Sequence, residues 1–318
     1  MTSVKKALVL GATGGIGGEV ARLLIKRGWE VTGLVRNIHS VSQGQEGIFW
    51  VAGDAMNSLD VLNAATGASL IVHAVNPPGY RDWDKLVLPM IDNTIAAAKQ
   101  IGVRILLPGT VYNYAPDINS DVDENSVQLP VTKKGKIRVE LENRLRMASL
   151  QGVKSLIVRA GDFFGPRTLS SWFSQALVVP GRKIESIQYP SKMGIGHQWA
   201  YLPDVAETMV RLIESSEKLK TFDVFHMNGH WDQDGTEIAD SIRRVVGNPA
   251  IKIKSFPWYL MPLIAVFSPT VREMLELRYL WTSPLKMSNA KLIEVLGQEP
   301  NTPLDIAINA SLKGLGCI

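Results

Sequence analysis

Short apolar runs rich in Val, Ile and Leu alternate with segments of helical periodicity along the first half of the chain. The apolar runs predict buried strands at residues 4–10, 30–35, 48–51, 70–74, 104–107 and 154–159. The periodic segments predict helices at residues 14–28, 58–65, 81–101 and 132–151. Strands that alternate with helices pair in parallel through right-handed crossovers. The pattern therefore predicts an α/β fold with a Rossmann-type, doubly wound parallel sheet.

The alternation becomes less regular after Gly161, where Gly, Pro, Ser and Trp cluster over residues 165–203. We expect a helix after Pro203 and a strand at residues 222–227. Further helices are predicted at residues 236–246, 284–296 and 303–312. This pattern suggests a Rossmann domain over residues 1–165 and a smaller lobe over residues 166–318, partly interleaved with the sheet.

Composition and charge exclude several classes of protein. The 318 residues carry a net charge of only +4 and include one cysteine, Cys317, so the chain can form no internal disulfide and no cysteine-based metal cluster. Basic residues are scattered, so no nucleic-acid partner is expected. The longest apolar run, residues 256–267, has 12 residues and two prolines. It is too short to span a bilayer, and we expect it to line the core or a pocket, with a membrane-contacting surface as the alternative. No membrane partner and a cytoplasmic location are the resulting expectations.

A glycine-rich sequence, GATGGIG at residues 11–17, stands between the first predicted strand and the first predicted helix. Glycines at such a turn let a pyrophosphate approach the backbone, and the helix N–H groups neutralise its charge. The context predicts dinucleotide binding over residues 1–165. The candidate cofactor residues in this loop are Gly11, Thr13, Gly14, Gly15, Ile16 and Gly17.

The residues that follow the next strands bear on the choice of cofactor. NAD-binding proteins often carry an acidic residue after the second strand, where this chain has Arg36. A guanidinium can bind a 2′-phosphate, which favours NADP, although NAD remains possible and Arg36 could be a solvated side chain. Asp54 follows the third strand and is placed to meet the adenine. Ala74, Val75 and Asn76 follow the fourth, where small residues let the cofactor pass.

These features resemble the extended and atypical short-chain dehydrogenase/reductase superfamily, the NAD-dependent epimerase/dehydratase group. Besides the glycine loop, RAGDFFGP at residues 159–166 and YLPDVA at residues 201–206 are similar to motifs of that family. The resemblance covers nearly the whole chain. It implies a nicotinamide cofactor and a small-molecule substrate held by the later lobe.

The resemblance also implies a catalytic Tyr-x-x-x-Lys pair, which this chain lacks. When Glu142 is aligned with an acidic residue common in the family, Lys134 stands at the tyrosine and Arg138 at the lysine. Thr110 is nearest to the family's Ser/Thr position, and Tyr112 resembles a pocket tyrosine. Thr110, Tyr112, Lys134 and Arg138 are therefore the catalytic candidates. Two alternatives stay open: that Tyr112 only packs, and that Lys134 is a solvated lysine beside Lys133 and Lys136 in an exposed basic turn.

The expected substrate contacts are Phe163, His197 and Tyr201. Nucleotide-sugar enzymes of the family often carry an arginine seven residues before the aspartate that is here Asp204, and this chain has His197 instead. A neutral imidazole holds a diphosphate less well than a guanidinium does.

Three functions remain open at this point. The leading one is an NADP-dependent oxidoreductase of a small carbonyl or alcohol. The alternatives are a non-catalytic NADP-binding redox sensor or ligand-binding protein, and a nucleotide-sugar epimerase or dehydratase.

Two further expectations concern metal and assembly. His226 and His230 have metal-like spacing, but an Asn-Gly turn separates them, so no metal site is expected. Relatives often dimerise through two helices. The helix at residues 132–151 carries Leu141 and Leu145, which is compatible with a homodimer.

Overall fold

The computed structural model describes residues 4–42, 44–77, 82–116 and 121–318. Its centre is a seven-stranded parallel sheet with the strand order β10-β6-β5-β4-β1-β2-β3. The strands are β1 (Lys6–Leu10), β2 (Glu30–Val35), β3 (Ile48–Ala52), β4 (Leu70–His73), β5 (Arg104–Gly109), β6 (Ser155–Arg159) and β10 (Phe222–His226). This topology confirms the predicted doubly wound α/β fold.

Helices cover both faces of this sheet, which explains why its strands are almost continuously apolar. They are α1 (Gly15–Lys26), α2 (Ser58–Ala65), α3 (Trp83–Ile101), α4 (Lys133–Ser149) and α5 (Leu202–Glu214). Val20 of α1 and Met209 of α5 pack on one face. Ile91 of α3 and Leu141 of α4 pack on the other. The predicted start of α3, near Arg81, lies outside the described residues.

The later part of the chain adds two small sheets, β11-β9-β7 and β12-β8. Their strands are β7 (Asp162–Phe164), β8 (Ser186–Tyr189), β9 (His197–Tyr201), β11 (His230–Asp232) and β12 (Lys252–Ser255). The remaining α-helices assigned in the described residues are α6 (Glu237–Val246), α7 (Met261–Phe267), α8 (Pro269–Leu275), α9 (Ala290–Leu296) and α10 (Leu304–Gly314). A third apolar cluster, rich in tryptophan, lies among these elements. The division at residue 165 stays a prediction, and the main sheet takes its edge strand β10 from beyond that boundary.

Two predicted elements of this later part are wrong. The helix expected at residues 284–296 exists only as α9, because Lys286 and Ser288 form backbone hydrogen bonds of 2.8 Å with Val122 instead. The apolar run at residues 256–267 does not line the core as predicted, since Leu263 is 68% exposed and Phe267 is 89% exposed. Helix α7 has only seven residues, and of these only Ala265 is buried. Within the described residues, no helix is both long and apolar enough to cross a membrane.

Residues 261–281, here called the cap segment, lie against the carboxyl ends of β5 and β6. The cap segment contains α7, α8 and a 3₁₀ turn at Arg278–Trp281. Leu277 and Leu280 are buried in the same cluster as Val111 and Tyr112, which follow β5. The cap segment therefore closes the side of the sheet at which ligands bind in open α/β folds.

Leu141 and Leu145 do not support the expected homodimer. Both side chains are fully buried in the protein's own core, against α3 and the sheet. They are therefore unavailable to a partner, and the homodimer stays a prediction without their support.

Candidate functional site

The glycine loop is held by close backbone packing at the carboxyl end of the sheet. Gly11 has a φ of +87°, and a Cβ there would lie 2.5 Å from the carbonyl oxygen of Ala74. A Cβ at Gly17 would lie 2.2 Å from the carbonyl oxygen of Gly11. Both positions therefore require glycine, and together they let the start of α1 pack closely against β1 and β4.

The N-terminus of α1 is suited to an anion. In the described structure no side chain caps this helix, and its first turn carries no acidic residue. Thr13 and Gly14 are exposed, Gly15 is half-buried, and Ile16 packs its side chain on the core beneath. The first N–H groups of α1 and its dipole therefore face the region in which a pyrophosphate is expected.

Arg167 and Thr168 are two residues beside this loop that the sequence reasoning missed. The backbone oxygen of Arg167 and the methyl group of Thr168 each lie 3.9 Å from the Cβ position of Gly15. The Arg167 side chain is 54% exposed, and its Nη1 lies 3.3 Å from Glu19 on α1. A cation next to a helix N-terminus strengthens anion binding. The only sequence signal was an arginine after the Gly-Pro pair at residues 165–166.

The other predicted cofactor residues lie along the same edge of the sheet. Arg36 is exposed directly after β2. Asp54, after β3, accepts a hydrogen bond from the backbone N–H of Met56 at 2.9 Å. Asn76 follows β4, and its Oδ1 accepts a hydrogen bond from Arg138 at 3.4 Å. Val75 is half-buried against the core. The structure thus lines these residues up along the edge that carries the glycine loop.

The catalytic candidates meet at the first turns of α4. Thr110 Oγ1 accepts a hydrogen bond from the N–H of Tyr112 at 3.3 Å and so starts the turn after β5. A Cβ at Gly135 would lie 2.3 Å from the backbone oxygen of Tyr112, so this turn packs directly on α4. Arg138 lies over the ring of Trp83 at 4.9 Å. Arg138 therefore stands beside Asn76, which follows β4.

Lys134 is not the solvated lysine of an exposed turn. Its side chain is 2% exposed, whereas Lys133 and Lys136 are exposed. Its Nζ donates hydrogen bonds to Glu276 at 2.6 Å and to Glu273, and its backbone N–H donates to Glu276 at 3.1 Å. Both glutamates belong to the cap segment. These two ion pairs occupy the Nζ of Lys134, which argues against a role for Lys134 in proton transfer to a substrate.

A buried ion pair fixes the register of α4 against β6. Arg159, at the end of β6, donates to Glu142 from Nε at 3.1 Å and also from Nη2. Arg159 Nη1 donates to Tyr114 at 2.5 Å and to His226 at 2.9 Å. Asn113 donates to Glu142 at 2.9 Å. This network holds Glu142 in the interior between α4 and the end of β6.

His197 is held by contacts that the sequence did not reveal. Its Nε2 lies 2.9 Å from Asp162 Oδ2, and its Nδ1 lies 3.3 Å from the carbonyl oxygen of Leu280. Its ring stacks on Trp281 at 3.8 Å between centroids. Both ring nitrogens therefore face acceptor oxygens, and these contacts together with the stacking on Trp281 fix the orientation of the ring.

A narrow cavity opens beside this pair. It is lined by Val111, Gly161, Asp162, His197, Gln198, Leu280 and Leu285. The first three of these follow β5 and β6, and Leu280 belongs to the cap segment. The cavity therefore lies between the ends of the sheet strands and the cap segment.

The two aromatic candidates for substrate contact have different surroundings. Phe163 is half-buried and packs on the core beneath the sheet. Tyr201 is buried against Phe164, with ring centroids 5.3 Å apart. Burial, with the charge of Asp204, raises the pKa of Tyr201 to about 12. Their role as substrate contacts stays a prediction.

The histidines with metal-like spacing serve other purposes. His226 belongs to the Arg159 network, and His230 lies in β11, against Phe164. In the parts of the chain that the structure covers, no group of three or more His, Cys, Asp or Glu side chains is placed to hold a metal ion.

Comparisons with known proteins agree with this geometry. Residues 11–161 match the model of the NAD(P)H-binding family. The fold is similar to that of a putative epimerase from Burkholderia cenocepacia J2315, with a TM-score of 0.79, 16% identity and 99% of each chain covered. It is also similar to the Bordetella bronchiseptica enzyme WbmH solved with NAD⁺, with a TM-score of 0.71, 18% identity and 98% of each chain covered. No curated protein matches the sequence.

A third similar structure is the UDP-glucose 4-epimerase of Thermotoga maritima with UDP-glucose. Its TM-score is 0.74 and its identity 14%, over 97% of this chain and 98% of that one. Residues 11–161 thus match an NAD(P)H-binding family, and the chain shares its fold with these epimerases. The resemblance predicted from the sequence is confirmed for the NAD(P)H-binding segment and for the fold.

Proposed function

We propose that this protein is an NADP-dependent oxidoreductase that transfers a hydride between the nicotinamide and a small carbonyl or alcohol. The observation that carries the proposal is the arrangement of the glycine loop. Gly11 and Gly17 bring an uncapped helix N-terminus to the carboxyl ends of β1 and β4. The cofactor, when bound, supplies or accepts the hydride. The protein's own residues hold it, orient it and manage the proton.

The binding roles follow from position along the sheet edge. The glycine loop, assisted by Arg167, takes the pyrophosphate. Arg36 takes the 2′-phosphate, and Asp54 lies near the adenine. Arg138, with Asn76, sits where the nicotinamide ribose is expected, and its guanidinium is a fixed donor of hydrogen bonds.

The substrate is proposed to enter between the sheet and the cap segment. The cavity there is small, about 10 Å³, and it is lined by apolar Val111, Leu280 and Leu285 and by polar Asp162, His197 and Gln198. A nucleotide sugar is less suited, because both nitrogens of His197 already contact Asp162 and Leu280. The epimerase alternative rests on the names of the similar structures.

A non-catalytic NADP-binding protein is the second candidate. The specific observation in its favour is Lys134, which stands where the family has its catalytic tyrosine and is bound by Glu273 and Glu276. A site with this residue locked in an ion pair binds a cofactor without the usual proton donor.

Titration with NADPH and NADH, for the wild type and Arg36→Ala, tests the proposed cofactor. We expect NADPH to bind at least about tenfold tighter than NADH, and Arg36→Ala to remove that preference. Lys26→Ala is the matched control, since it removes an exposed cation from the opposite end of α1. Equal affinities in the wild type would refute the role of Arg36, and binding of neither cofactor would refute both candidate functions.

A panel of small aldehydes and ketones, followed by NADPH oxidation, then separates the two candidates. An oxidoreductase consumes NADPH with at least one compound at a rate above that of the cofactor alone. A protein that binds NADPH tightly and consumes none of it is the non-catalytic alternative.

A further inference from the structure

A hydride transfer to a carbonyl needs a proton donor at the carbonyl oxygen, and the residue expected to serve does not fit. Lys134 is surrounded by the carboxylates of Glu273 and Glu276. A hydroxyl or acid from another element has to lie in the same region if the proposed reaction occurs there. The cap segment carries both glutamates and borders this region.

The hydroxyl of Tyr279 stands out in that segment. It is buried and, among the described residues, forms no hydrogen bond. A buried hydroxyl without a partner costs on the order of 1 to 3 kcal/mol, so such groups are uncommon and call for an explanation. Its ring packs against the core cluster that contains Val111 and Tyr112.

The position of Tyr279 is fixed on both sides along the chain. Glu276, three residues earlier, is bound by Lys134 at the start of α4. The carbonyl oxygen of Leu280, the next residue, faces Nδ1 of His197, and Leu280 also lines the cavity. Tyr279 is thereby held between α4 and the His197–Asp162 pair by contacts that do not involve its own hydroxyl.

Two carboxylates act on the hydroxyl of Tyr279. Burial raises the pKa of Tyr279, and the carboxylates of Asp162 and Glu276 raise it further. Asp162 lies just beyond the carboxyl end of β6, and Glu276 lies against the first turn of α4. Tyr279 lies beside the region proposed above for the substrate carbonyl, because in the chain it stands between Glu276, which contacts α4, and Leu280, which lines the cavity. It also stays protonated at neutral pH, as a donor must.

We propose that Tyr279 is the catalytic proton donor of this protein and contacts the oxygen of a substrate carbonyl, in place of the tyrosine missing from α4. The inference rests on the proposed oxidoreductase function. In the reduction, the hydride of the reduced nicotinamide forms a C–H bond at the carbonyl carbon, and the C=O π bond breaks. The oxygen takes the proton of Tyr279, and the tyrosinate regains a proton from solvent. The oxidation runs through the same steps in reverse.

The turnover test compares Tyr279→Phe with Tyr259→Phe. Both remove one hydroxyl from the same stretch of chain, but Tyr259 is 79% exposed. Tyr279→Phe is expected to lower kcat for the best carbonyl substrate at least about 100-fold, with the dissociation constant for NADPH changed less than about twofold. Tyr259→Phe is expected to keep the wild-type rate. A Tyr279→Phe variant within about threefold of the wild-type rate would overturn the proposal.

A second measurement does not depend on turnover. The seven tyrosines are labelled with meta-fluorotyrosine, and the fluorine NMR resonance of Tyr279 is assigned by its loss in Tyr279→Phe. The oxidised and reduced cofactors differ only in the nicotinamide ring. We expect the Tyr279 resonance to differ between the two complexes, and that of Tyr259 to stay unchanged.

The turnover and NMR measurements together distinguish a wrong inference about Tyr279 from a wrong proposed function. If the cofactor binds but the Tyr279 resonance is the same in both complexes, Tyr279 is not beside the nicotinamide and the inference is wrong, whether or not turnover is found. If neither cofactor binds, the proposed function fails first and the inference fails with it.

Discussion

The Nζ of Lys134 lies 2.6 Å from a carboxylate oxygen of Glu276, which is 142 residues further along the chain. This contact ties the first turn of α4 to the cap segment. Glu273 of α8 approaches the same Nζ, while the ring of Trp83 lies 6.0 Å away. A cation that is buried among two carboxylates and an aromatic ring contributes to the stability of the fold rather than to catalysis.

Replacing this cation should therefore lower stability more than it changes cofactor binding. Lys134→Met keeps the length of the side chain but leaves Glu273 and Glu276 without its charge. Removing one partner of a fully buried pair costs roughly 3 to 5 kcal/mol. Because the two glutamate side chains are 33% and 21% exposed, we expect a loss of about 2 kcal/mol in the free energy of unfolding, measured with urea.

Lys136→Met is the control, since Lys136 is an exposed lysine on the same helix. A double-mutant cycle with Glu276→Gln should give a coupling energy of about 1 to 2 kcal/mol. If Lys134→Met costs no more than Lys136→Met, the ion pair does not hold the cap segment in place.

The local sequence pattern was sufficient to predict the sheet but not the contacts within the candidate site. Strand β2 and helix α2 have the predicted bounds, residues 30–35 and 58–65. A strand that is buried on both faces is a continuous apolar run, and a helix that covers it has one apolar face. Both are properties of neighbouring residues. The glycine loop was also predictable, because its chemistry is contained in seven consecutive residues.

The partners of Lys134 and His197 depend on contacts across the chain. Glu276 lies in a segment without a motif, and Leu280 binds His197 through a backbone oxygen that every residue has. Lysines at residues 133, 134 and 136 look alike in sequence, and only the cap segment makes the second one buried. Strands such as β7, with three residues, are too short for a periodic signal.

The stability of the protein should fall as the pH drops below about 6.5, because two histidines are buried in neutral form. Burial and Arg159 lower the pKa of His226 to about 3, and burial and Arg138 lower that of His73 to about 3. The unfolded chain takes up protons near pH 6.5 and the folded one does not, so acid favours unfolding. Each histidine should contribute roughly 2 kcal/mol of lost stability between pH 7 and pH 5.

Urea unfolding at pH 7, 6 and 5 measures this dependence. His226→Gln should make the decline shallower, because about one proton fewer is taken up on unfolding, even if the variant is less stable at every pH. His39→Gln, at an exposed position, should keep the slope of the wild type. An unchanged slope in His226→Gln would mean that His226 does not remain neutral in the folded protein.

The glycine loop should be sensitive to a single methyl group. In Gly17→Ala the new Cβ would meet the backbone oxygen of Gly11 at 2.2 Å, so the loop must open. We expect at least a tenfold loss of affinity for NADPH, measured by the fluorescence of the bound cofactor. Gly67→Ala is the control, because Gly67 has a φ of +77° and open space around it. It should cost about 1 kcal/mol of stability and leave the affinity unchanged. Equal affinities for both variants would contradict the proposed packing.

Because α7 is exposed, its large apolar side chains should contribute little to stability, although their hydrophobicity alone suggests a large contribution. Phe267 is 89% exposed, whereas Leu277, in the same cap segment, is 1% exposed and packs beside Leu280. Phe267→Ala should therefore change the free energy of unfolding by less than about 0.5 kcal/mol. Leu277→Ala should cost roughly 2 to 5 kcal/mol, because it leaves a cavity under the cap segment. Urea unfolding of both variants tests the difference. A Phe267→Ala variant as unstable as Leu277→Ala would place α7 in the core after all, as the apolar run at residues 256–267 first suggested.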